Sequence, residues 1–341
     1  MASDDPLSYA AAGVDRAAAD AAIERLGPLL DKARRPEVLS GIGGFAGLFA
    51  LDTRRWRAPV LASSADGVGT KVELARQLDV LETVGQDLVA MVADDLVVTG
   101  AEPLFLLDYL AVGRLDPDRV ERIVAGVAEG CRVAGCALVG GETAEHPGSM
   151  DDDAFDLSGF GVGIVEREAL LGPHRVQVGD ALIAMAASGL HANGYSLVRR
   201  AVADADLFAS HGLPRSLGQE LLTPTRIYAR DCLALAAALP VRTFCHITGG
   251  GLPGNLARIL PEGLGARIDT ATWERPAVFG LVQRLGRIPD EEMWATFNQG
   301  IGMVAVVAPA AADDAVNLLA GRGVPAWVVG EVRPAGGIAI T

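Results

Sequence analysis

Three motifs that would place the chain in a common enzyme class are missing from its sequence. There is no G-x-x-x-x-G-K-[ST] phosphate loop, no G-x-G-x-x-G fingerprint after the first predicted strand and no G-x-S-x-G nucleophile elbow. A P-loop nucleotide site, a Rossmann dehydrogenase and a nucleophile-elbow hydrolase are therefore disfavoured. No stretch approaches the roughly 18 apolar residues of a membrane span, and the acidic start lacks a signal-peptide pattern. We therefore expect a cytoplasmic protein with no membrane partner.

Cysteine and lysine are also scarce. The four cysteines form no C-x-x-C pair, which argues against a cysteine-bound metal and predicts free thiols. The net charge of −14 argues against nucleic acid as a partner. Of 29 basic residues only two are lysine, Lys32 and Lys71. Lysine is a compact point charge without arginine's broad fork, so a retained lysine indicates a position that arginine cannot fill. Chance retention is the alternative explanation.

Length and hydrophobic patterning predict two α/β domains. The chain has 341 residues, of which half are hydrophobic and 41 are glycine, and this suits two cores with many tight turns. Helical segments alternate with apolar strands, and the pattern restarts near residue 180. We place an N-terminal domain at residues 1–167 and a C-terminal domain at residues 168–341. Predicted helices cover residues 17–30, 71–77, 84–99, 117–135, 195–203, 224–238, 254–259 and 310–321, and predicted strands cover 59–64, 104–112, 137–139, 155–165, 180–186, 265–268, 301–307 and 326–332.

The sequence Asp-Gly-Val-Gly-Thr-Lys, which ends at Lys71, joins a predicted strand to a predicted helix. Gly67 and Gly69 let backbone N–H groups turn towards an oxyanion, and the helix N-terminus beside Thr70 adds partial positive charge. Asp66 is a candidate magnesium ligand and Lys71 a candidate phosphate contact. Taken alone, the segment is equally consistent with an ordinary strand–turn–helix junction that carries a surface Asp and Lys.

Acidic residues recur in apolar surroundings further along the chain. Asp87 and Asp95 are eight positions apart on one predicted helix, so they lie on nearly the same face. Glu142 follows two glycines. Unpaired carboxylates are unfavourable in an apolar segment, so these acids are expected to pair or to bind a cation. Oxygen ligands from three segments suit Mg²⁺ carrying nucleotide phosphates. Solvent exposure on a helix face is the alternative for each acid alone.

Two histidines lie beside glycine where predicted strands end. His191 begins His-Ala-Asn-Gly, and His246 begins His-Ile-Thr-Gly-Gly-Gly. Such strand ends form the usual ligand crevice of an open α/β sheet, where histidine transfers protons or donates to phosphate. A lone histidine is more often structural, and that alternative applies to each. Asn298 likewise precedes a pair of glycines and a predicted strand.

These motifs occur in an order that resembles the phosphoribosylformylglycinamidine cyclo-ligase family, also called aminoimidazole ribonucleotide synthetases. The resemblance runs almost from end to end. One departure is Asp94, where the family usually has Asn. The matching segments are residues 8–15, 34–38, 43–45, 66–71, 87–91, 100–104, 107–109, 138–145, 193–198, 222–228 and 246–251.

The resemblance implies a fold and a reaction. The expected subunit is α/β (α+β) with two domains, and the N-terminal domains of a homodimer pair into a shared β-barrel with clefts at the interface. In the implied reaction, ATP phosphorylates the formyl oxygen of formylglycinamidine ribonucleotide. A substrate nitrogen then attacks that carbon, closing the imidazole ring and expelling phosphate. Because phosphate is a good leaving group, the enzyme contributes mainly positioning and charge neutralisation.

The resemblance also assigns roles to residues. Mg²⁺ and ATP are assigned to Asp66, Asp95 and Glu142. The implied nucleotide-binding set further includes Gly43, Gly44, Phe45, Gly67, Gly69, Thr70, Lys71 and Asp87. The implied catalytic residues are His191, His246 and Lys71. Substrate binding is assigned to Asn193, Thr248, Gly249, Gly250 and Asn298.

Two other interpretations stay open on the sequence alone. Selenophosphate synthetase and thiamine-monophosphate kinase are related ATP-dependent enzymes. A selenophosphate synthetase is expected to carry a reactive cysteine beside an early glycine loop, whereas the first cysteine here is Cys131. The second interpretation is an inactive nucleotide-binding scaffold, which would show eroded acids and histidines. All the candidate acids and histidines are retained, which argues against the scaffold.

Overall fold

The computed structural model describes Tyr9, Gly13 and residues 16–41, 44–334 and 336–341. The described helices are α1 (Arg16–Lys32), α2 (Lys71–Leu78), α3 (Glu82–Val98), α4 (Pro117–Ala134), α5 (Tyr195–Ala201), α6 (Leu217–Leu221), α7 (Ala229–Ala238), α8 (Gly251–Ile259), α9 (Ala277–Gly286), α10 (Asp290–Thr296) and α11 (Ala312–Gly321). The strands are β1 (Pro59–Gly67), β2 (Glu102–Val112), β3 (Ala137–Glu145), β4 (Phe155–Glu166), β5 (Ala181–Ala186), β6 (Val241–His246), β7 (Gly265–Ile268), β8 (Ile301–Val307), β9 (Ala326–Arg333) and β10 (Gly337–Ile340). Among the described helices, none is both long and apolar enough to cross a membrane.

The N-terminal half is built on a four-stranded sheet in the order β1-β4-β2-β3. β2 and β3 are parallel, and the other neighbours are antiparallel. Helix α3 packs on one face, where Gly159 and Gly161 of β4 lie against Leu88 and Val92. A methyl group at Gly161 would lie 2.5 Å from Val92, so glycine allows the helix to approach the sheet closely.

One row of paired residues crosses this sheet from edge to edge. Asp66 on β1 pairs with Gly159 on β4, Gly159 pairs with Asp108 on β2, and Asp108 pairs with Gly141 on β3. Neighbouring strands lie about 4.8 Å apart, so roughly 14 Å of sheet separates Asp66 from Gly141. Glu142 is the next residue after Gly141, at the edge opposite to Asp66.

The C-terminal half contains a six-stranded sheet in the order β10-β7-β9-β5-β8-β6. Among the described strands of this sheet, only β10 and β7 pair in parallel, so the sheet is mostly antiparallel. Two neighbouring interior strands, β5 and β8, are almost wholly buried. The sequence prediction missed the short elements α6, α9, α10 and β10, because brief amphipathic segments carry weak periodicity.

Helix α3 contacts both halves of the molecule and corrects one predicted boundary. The predicted helix over residues 224–238 begins only at Ala229. The backbone N–H groups of Thr225 and Tyr228 instead donate to the carboxylates of Asp87 and Asp94 on α3. These contacts between the halves hold the segment before Ala229 outside the helix, and nothing in its local sequence indicates them.

Candidate active site

A cleft between the two halves gathers part of the predicted site. Asp95 on α3 and His246 at the end of β6 face each other, with His246 Nδ1 2.9 Å from Asp95 Oδ1. Asp66 at the end of β1 lies close enough for its charge to interact with both. Burial raises the pKa of Asp66, and the neighbouring Asp95 raises it further. A cavity of about 350 Å³ lined by Asp95 and His246 also contains Arg258. The cleft therefore combines carboxylates, an imidazole and a guanidinium.

The structure distinguishes the adjacent acids Asp94 and Asp95. The Asp94 carboxylate is fully buried, and its Oδ1 accepts the Tyr228 backbone N–H at 2.9 Å. Burial raises the pKa of Asp94 to about 7, against the opposing charge of His246. The side chain of Asp95 is 40% exposed and lines the cavity. The geometry therefore supports Asp95 as the candidate ligand, and Asp94 as a contact to the segment that precedes α7.

His246 is held by Asp95 and presents its other nitrogen unpaired. Nδ1 bonds to Asp95, while the buried Nε2 has no partner among the described residues. Burial opposes protonation, but the hydrogen bond to Asp95 and the charges of Asp94 and Asp66 outweigh it, so the pKa of His246 is raised. A carboxylate-oriented imidazole with one free nitrogen is suited to proton transfer or to holding an anionic group.

His191 has the opposite electrostatic character. The Ser188 backbone N–H donates to His191 Nε2 at 3.2 Å, so in the neutral ring the proton lies on Nδ1. That Nδ1 is buried without a partner among the described residues. Burial lowers the pKa of His191 well below its usual value, and the positive charges of His246, Lys71 and Arg226 lower it further. The imidazole is therefore neutral, and its backbone φ of 65° indicates a constrained loop.

Gly302 makes room for the His191 ring, and this gives a prediction. A methyl group at Gly302 would lie 2.4 Å from His191 Cε1 and 2.1 Å from the Tyr228 hydroxyl, which donates to Ala186 O. We expect Gly302→Ala to lower the free energy of unfolding by about 1–3 kcal/mol through overpacking, and to lower activity by displacing His191. Urea unfolding and steady-state kinetics measure the two effects.

The matched control is Gly321→Ala. Gly321 ends α11, and no heavy atom would lie within 4 Å of its added methyl group. That substitution should leave kinetics unchanged and should not lower the free energy of unfolding, because alanine favours a helix over glycine. Wild-type stability and activity in Gly302→Ala would contradict the packing argument.

The predicted substrate residues lie on the loops that follow β5, β6 and α10. Asn193 Oδ1 would lie 3.5 Å from a methyl group at Gly249, so the loops after β5 and β6 meet. Thr248 Oγ1 contacts Asn255 Oδ1 at 3.3 Å, and Gly250 has a left-handed φ of 105°. A cavity of about 520 Å³ runs between residues 66–70 and residues 192–197.

The side-chain amide of Asn298 makes hydrogen bonds within the protein. Its amide donates to Gly189 O at 3.0 Å and accepts the Gly300 backbone N–H at 2.8 Å. Asn298 therefore braces the loop that carries His191. This geometry favours a supporting role for Asn298 over the predicted contact with substrate.

Part of the predicted nucleotide-binding set lies around a third cavity. Its volume is about 390 Å³, and Gly44, Phe45 and Glu142 line it. Phe45 is fully exposed at its mouth, and Gly43 lies outside the described residues. The walls are mainly apolar and come from α1, β2, α4 and β3, together with the carboxyl group of Asp108. We call this space the α1 cavity.

Asp108 is a feature of the α1 cavity that the sequence prediction missed. The residue is 9% exposed, and burial raises the pKa of its carboxyl group to about 7. A methyl group at Gly141 would lie 2.2 Å from Asp108 Oδ1, so the second glycine before Glu142 makes room for this carboxyl. The paired glycines at 140 and 141 are the only sequence signal for it.

The predicted metal ligands do not meet within one chain. Asp66 and Asp95 share the cleft, whereas Glu142 lies at the opposite edge of the sheet. Among the residues that the structure describes, no group of three or more His, Cys, Asp or Glu side chains could hold a metal ion. Within one chain, β4 and β2 separate the edge strands β1 and β3, so Glu142 does not join Asp66 and Asp95.

Two further predicted nucleotide contacts are buried elsewhere. The side chains of Lys71 and Asp87 are both 0% exposed and form an ion pair with Nζ 2.8 Å from Oδ2. Neither side chain faces the cleft or the α1 cavity. Burial lowers the pKa of Lys71 against the opposing influence of Asp87. The structure therefore gives no support to a phosphate contact by Lys71 or a nucleotide contact by Asp87.

Comparison with solved structures identifies the fold that the chain shares with known proteins. The chain aligns with thiamine-monophosphate kinase from Stenotrophomonas maltophilia K279a at a TM-score of 0.68 and 20% identity, covering 93% of this chain and 95% of that one. The hydrogenase maturation protein HypE in complex with ATP aligns at 0.65 and 21%, covering 91% and 86%. The fold is therefore the mixed α/β two-domain architecture that these proteins share.

Sequence comparison narrows this class to one family. Residues 53–165 match the family described as AIR synthase related protein, N-terminal domain, and residues 177–341 match its C-terminal domain. A phosphoribosylformylglycinamidine cyclo-ligase from Anaeromyxobacter sp. (strain K) is 51% identical over 97% of this chain and 96% of its own. One from Sorangium cellulosum (strain So ce56) is 52% identical over 97% of each. The chain belongs to the phosphoribosylformylglycinamidine cyclo-ligase family.

Proposed function

We propose that this protein closes the imidazole ring of aminoimidazole ribonucleotide from formylglycinamidine ribonucleotide, with ATP converted to ADP and phosphate. The observation that carries the proposal is identity of 51–52% with cyclo-ligases over almost the full length of both chains. Phosphorylation of the formyl oxygen turns it into a good leaving group, and a substrate nitrogen then attacks that carbon. The neutral His191 and the Asp95-oriented His246 are the proposed groups for holding substrate and moving protons.

The test is an end-point assay with purified protein, magnesium, ATP and formylglycinamidine ribonucleotide. Diazo coupling detects the aromatic amine of the product, and we expect colour only when ATP is present. Thiamine monophosphate is the control acceptor, because thiamine-monophosphate kinase shares the fold. Phosphorylation of thiamine monophosphate without ring closure would move the assignment to that kinase activity.

ATP is assigned to the α1 cavity and the neighbouring end of the sheet. The cavity offers an apolar slot of about 390 Å³ for a base, with Gly44 and Phe45 at its mouth and Glu142 on its wall. The carboxylates of Glu142, Asp66 and Asp95 are hard oxygen donors of the kind that Mg²⁺ prefers. Bound Mg²⁺ neutralises charge on the ATP phosphates. Gly67, Gly69 and Thr70 remain proposed phosphate contacts through their backbone N–H groups.

An exposed apolar face of the N-terminal sheet supports a homodimer. On β4, Gly159 and Gly161 face α3, so Phe160 between them faces away from the helix. Leu61 and Tyr109 lie on the same face by register, and Leu61, Tyr109 and Phe160 are 64%, 44% and 43% exposed. Contiguous exposed apolar side chains on a sheet mark an interaction surface. Two such sheets facing each other form the predicted shared barrel.

The barrel also offers a way to complete the metal site. Two copies of a four-stranded sheet can close into a barrel whose own axis is the two-fold symmetry axis of the dimer. In that arrangement the β3 edge of each subunit lies beside the β1 edge of its partner. Glu142 at the β3 edge of one subunit then approaches Asp66 and Asp95 of the other. We therefore propose that each ATP site takes Glu142 from one subunit and the two aspartates from its partner.

The domain division and the remaining residue roles are part of the same proposal. Residues 1–167 form the ATP-binding and dimerisation domain, and residues 168–341 carry the substrate loops. Asn193, Thr248, Gly249 and Gly250 are the proposed substrate contacts, supported by the meeting of the loops after β5 and β6. A cytoplasmic location and the absence of a nucleic-acid partner stay predictions from composition and charge.

A further inference from the structure

Lys71 occupies an enclosed site at the junction of the two halves. Its Nζ lies 2.9 Å from Asp87 Oδ1 and donates to the backbone oxygens of His191 and Thr223 at 2.8 and 2.9 Å. These three acceptors match the three N–H bonds of an ammonium group, so no donor is left for another ligand. The ring of Tyr195 lies beside them, with its centroid 5.3 Å from Nζ.

Asp87 extends the junction through its own hydrogen bonds. Its Oδ1 accepts the backbone N–H of Thr225 at 2.7 Å and the Thr225 hydroxyl at 2.6 Å. One buried ion pair therefore connects α2 and α3 of the N-terminal half to two segments of the C-terminal half. Those segments are the loop that begins at His191 and the stretch from Thr223 to Thr225.

The contact with the His191 carbonyl fixes a residue of the active site. His191 has a left-handed backbone and a ring packed against Gly302, so rotation of its peptide would move the imidazole. We propose that Lys71 is a positioning residue: together with Asp87 it fixes the His191 peptide across the junction, and it makes no contact with ATP. This inference rests on the proposed ring-closing function for its kinetic readout.

The choice of lysine over arginine fits this role. Twenty-seven of the 29 basic residues are arginine, yet the enclosed position carries lysine. A guanidinium is broad and planar with five donors, whereas three acceptors surround this compact site. Lys71→Arg should therefore lower kcat below the wild-type value, although it keeps the positive charge.

The test is the double variant Lys71→Met/Asp87→Asn, which removes both buried charges while the amide oxygen introduced at position 87 still accepts from Thr225. We expect kcat per ATP-binding site to fall about 100-fold or more, since misplacing a catalytic group costs on that order. The ATP dissociation constant from calorimetry and the KM for ATP should stay within about threefold of wild type. Counting sites by calorimetry removes any contribution from unfolded protein.

Two comparisons make the result specific. Lys32→Met changes the other lysine, which is exposed at the end of α1, and should leave all constants unchanged. When His191 is already replaced by alanine, adding the double variant should cause little further loss of kcat. The effects of substitutions are not additive when one residue acts through another. An ATP dissociation constant raised tenfold or more, or a fully additive loss, would overturn the proposal.

A milder variant covers the case in which the double variant does not fold. Thr225→Val removes one hydrogen bond to Asp87 and leaves the Lys71 ammonium in place. We expect kcat to fall about three- to tenfold with unchanged ATP affinity, and a wild-type kcat would contradict the junction's role. If wild-type protein makes no aminoimidazole ribonucleotide, the proposed function fails. The ATP affinity of the Lys71→Met/Asp87→Asn variant then still tests whether Lys71 contacts ATP, and an unchanged affinity supports the claim that it does not.

Discussion

Mixing two inactive variants should restore activity when one lacks Asp66 and the other lacks Glu142. Asp66→Asn and Glu142→Gln each remove a carboxylate proposed to hold Mg²⁺ with ATP, so each homodimer should be inactive. The sheet register places these residues at opposite edges, roughly 14 Å apart along the sheet. If each site combines Asp66 of one subunit with Glu142 of the other, a heterodimer has one site without substitutions. Random reassociation gives half heterodimers, and therefore about a quarter of wild-type turnover.

The control pairs two residues of the same cleft. Asp66 and Asp95 interact within one chain, so mixing Asp66→Asn with Asp95→Asn leaves every site altered and should restore nothing. Light scattering shows whether dimers are present, and co-purification of an untagged variant with a tagged one shows whether subunits exchange. A stable monomer would contradict the dimer, and a dimer without complementation would place Glu142 and Asp66 in separate roles.

Replacing Asp108 by Asn should flatten the dependence of stability on pH. The carboxyl titrates at about 7 in the folded protein because it is buried, and at about 4 in an unfolded chain. Between these values the folded state keeps a proton that the unfolded state releases, so stability falls as pH rises from about 4 to about 7. At about 1.4 kcal/mol per pKa unit, the loss assigned to Asp108 between pH 5 and pH 8 is about 3 kcal/mol.

Urea unfolding at pH 5 and pH 8 measures this difference. Wild type should lose about 3 kcal/mol more between the two pH values than Asp108→Asn does. Asp94 titrates in both proteins and cancels in the comparison. Asp313→Asn, which changes an exposed acid on α11, should behave as wild type. Equal slopes for wild type and Asp108→Asn would mean that the Asp108 carboxyl is solvated through the α1 cavity.

The sequence was sufficient for the long elements and for the positions of the two histidines. The predicted strands and helices of the N-terminal half lie within a few residues of β1, α3, β2 and α4, because each is a long segment with many apolar residues. His191 follows β5 and His246 ends β6, as expected. Length and patterning also indicated two α/β domains, whereas the shared barrel was expected only from the family resemblance.

The features of the site that the sequence did not predict come from contacts between residues that are distant along the chain. Lys71 follows a glycine turn, which suggests a phosphate contact, yet two of its partners lie 120 and 152 positions away at His191 and Thr223. The sequence around Lys71 does not indicate that its side chain will contact those carbonyl groups. The separation of Glu142 from Asp66 within one chain was likewise not predictable, since the strand order β1-β4-β2-β3 depends on pairing that no single motif specifies.

The burial of Lys71 also provides a chemical reporter of motion between the two halves. Its amine is sealed in the junction, whereas Lys32, the only other lysine in the sequence, is exposed on α1. An amine-reactive reagent should therefore acylate Lys32 quickly and Lys71 only during moments when the halves separate. The peptide that contains Lys32 serves as the internal reference, and acylation of the peptide that contains Lys71 reports the opening. Mass spectrometry of the labelled native protein can therefore follow that opening equilibrium without an engineered label.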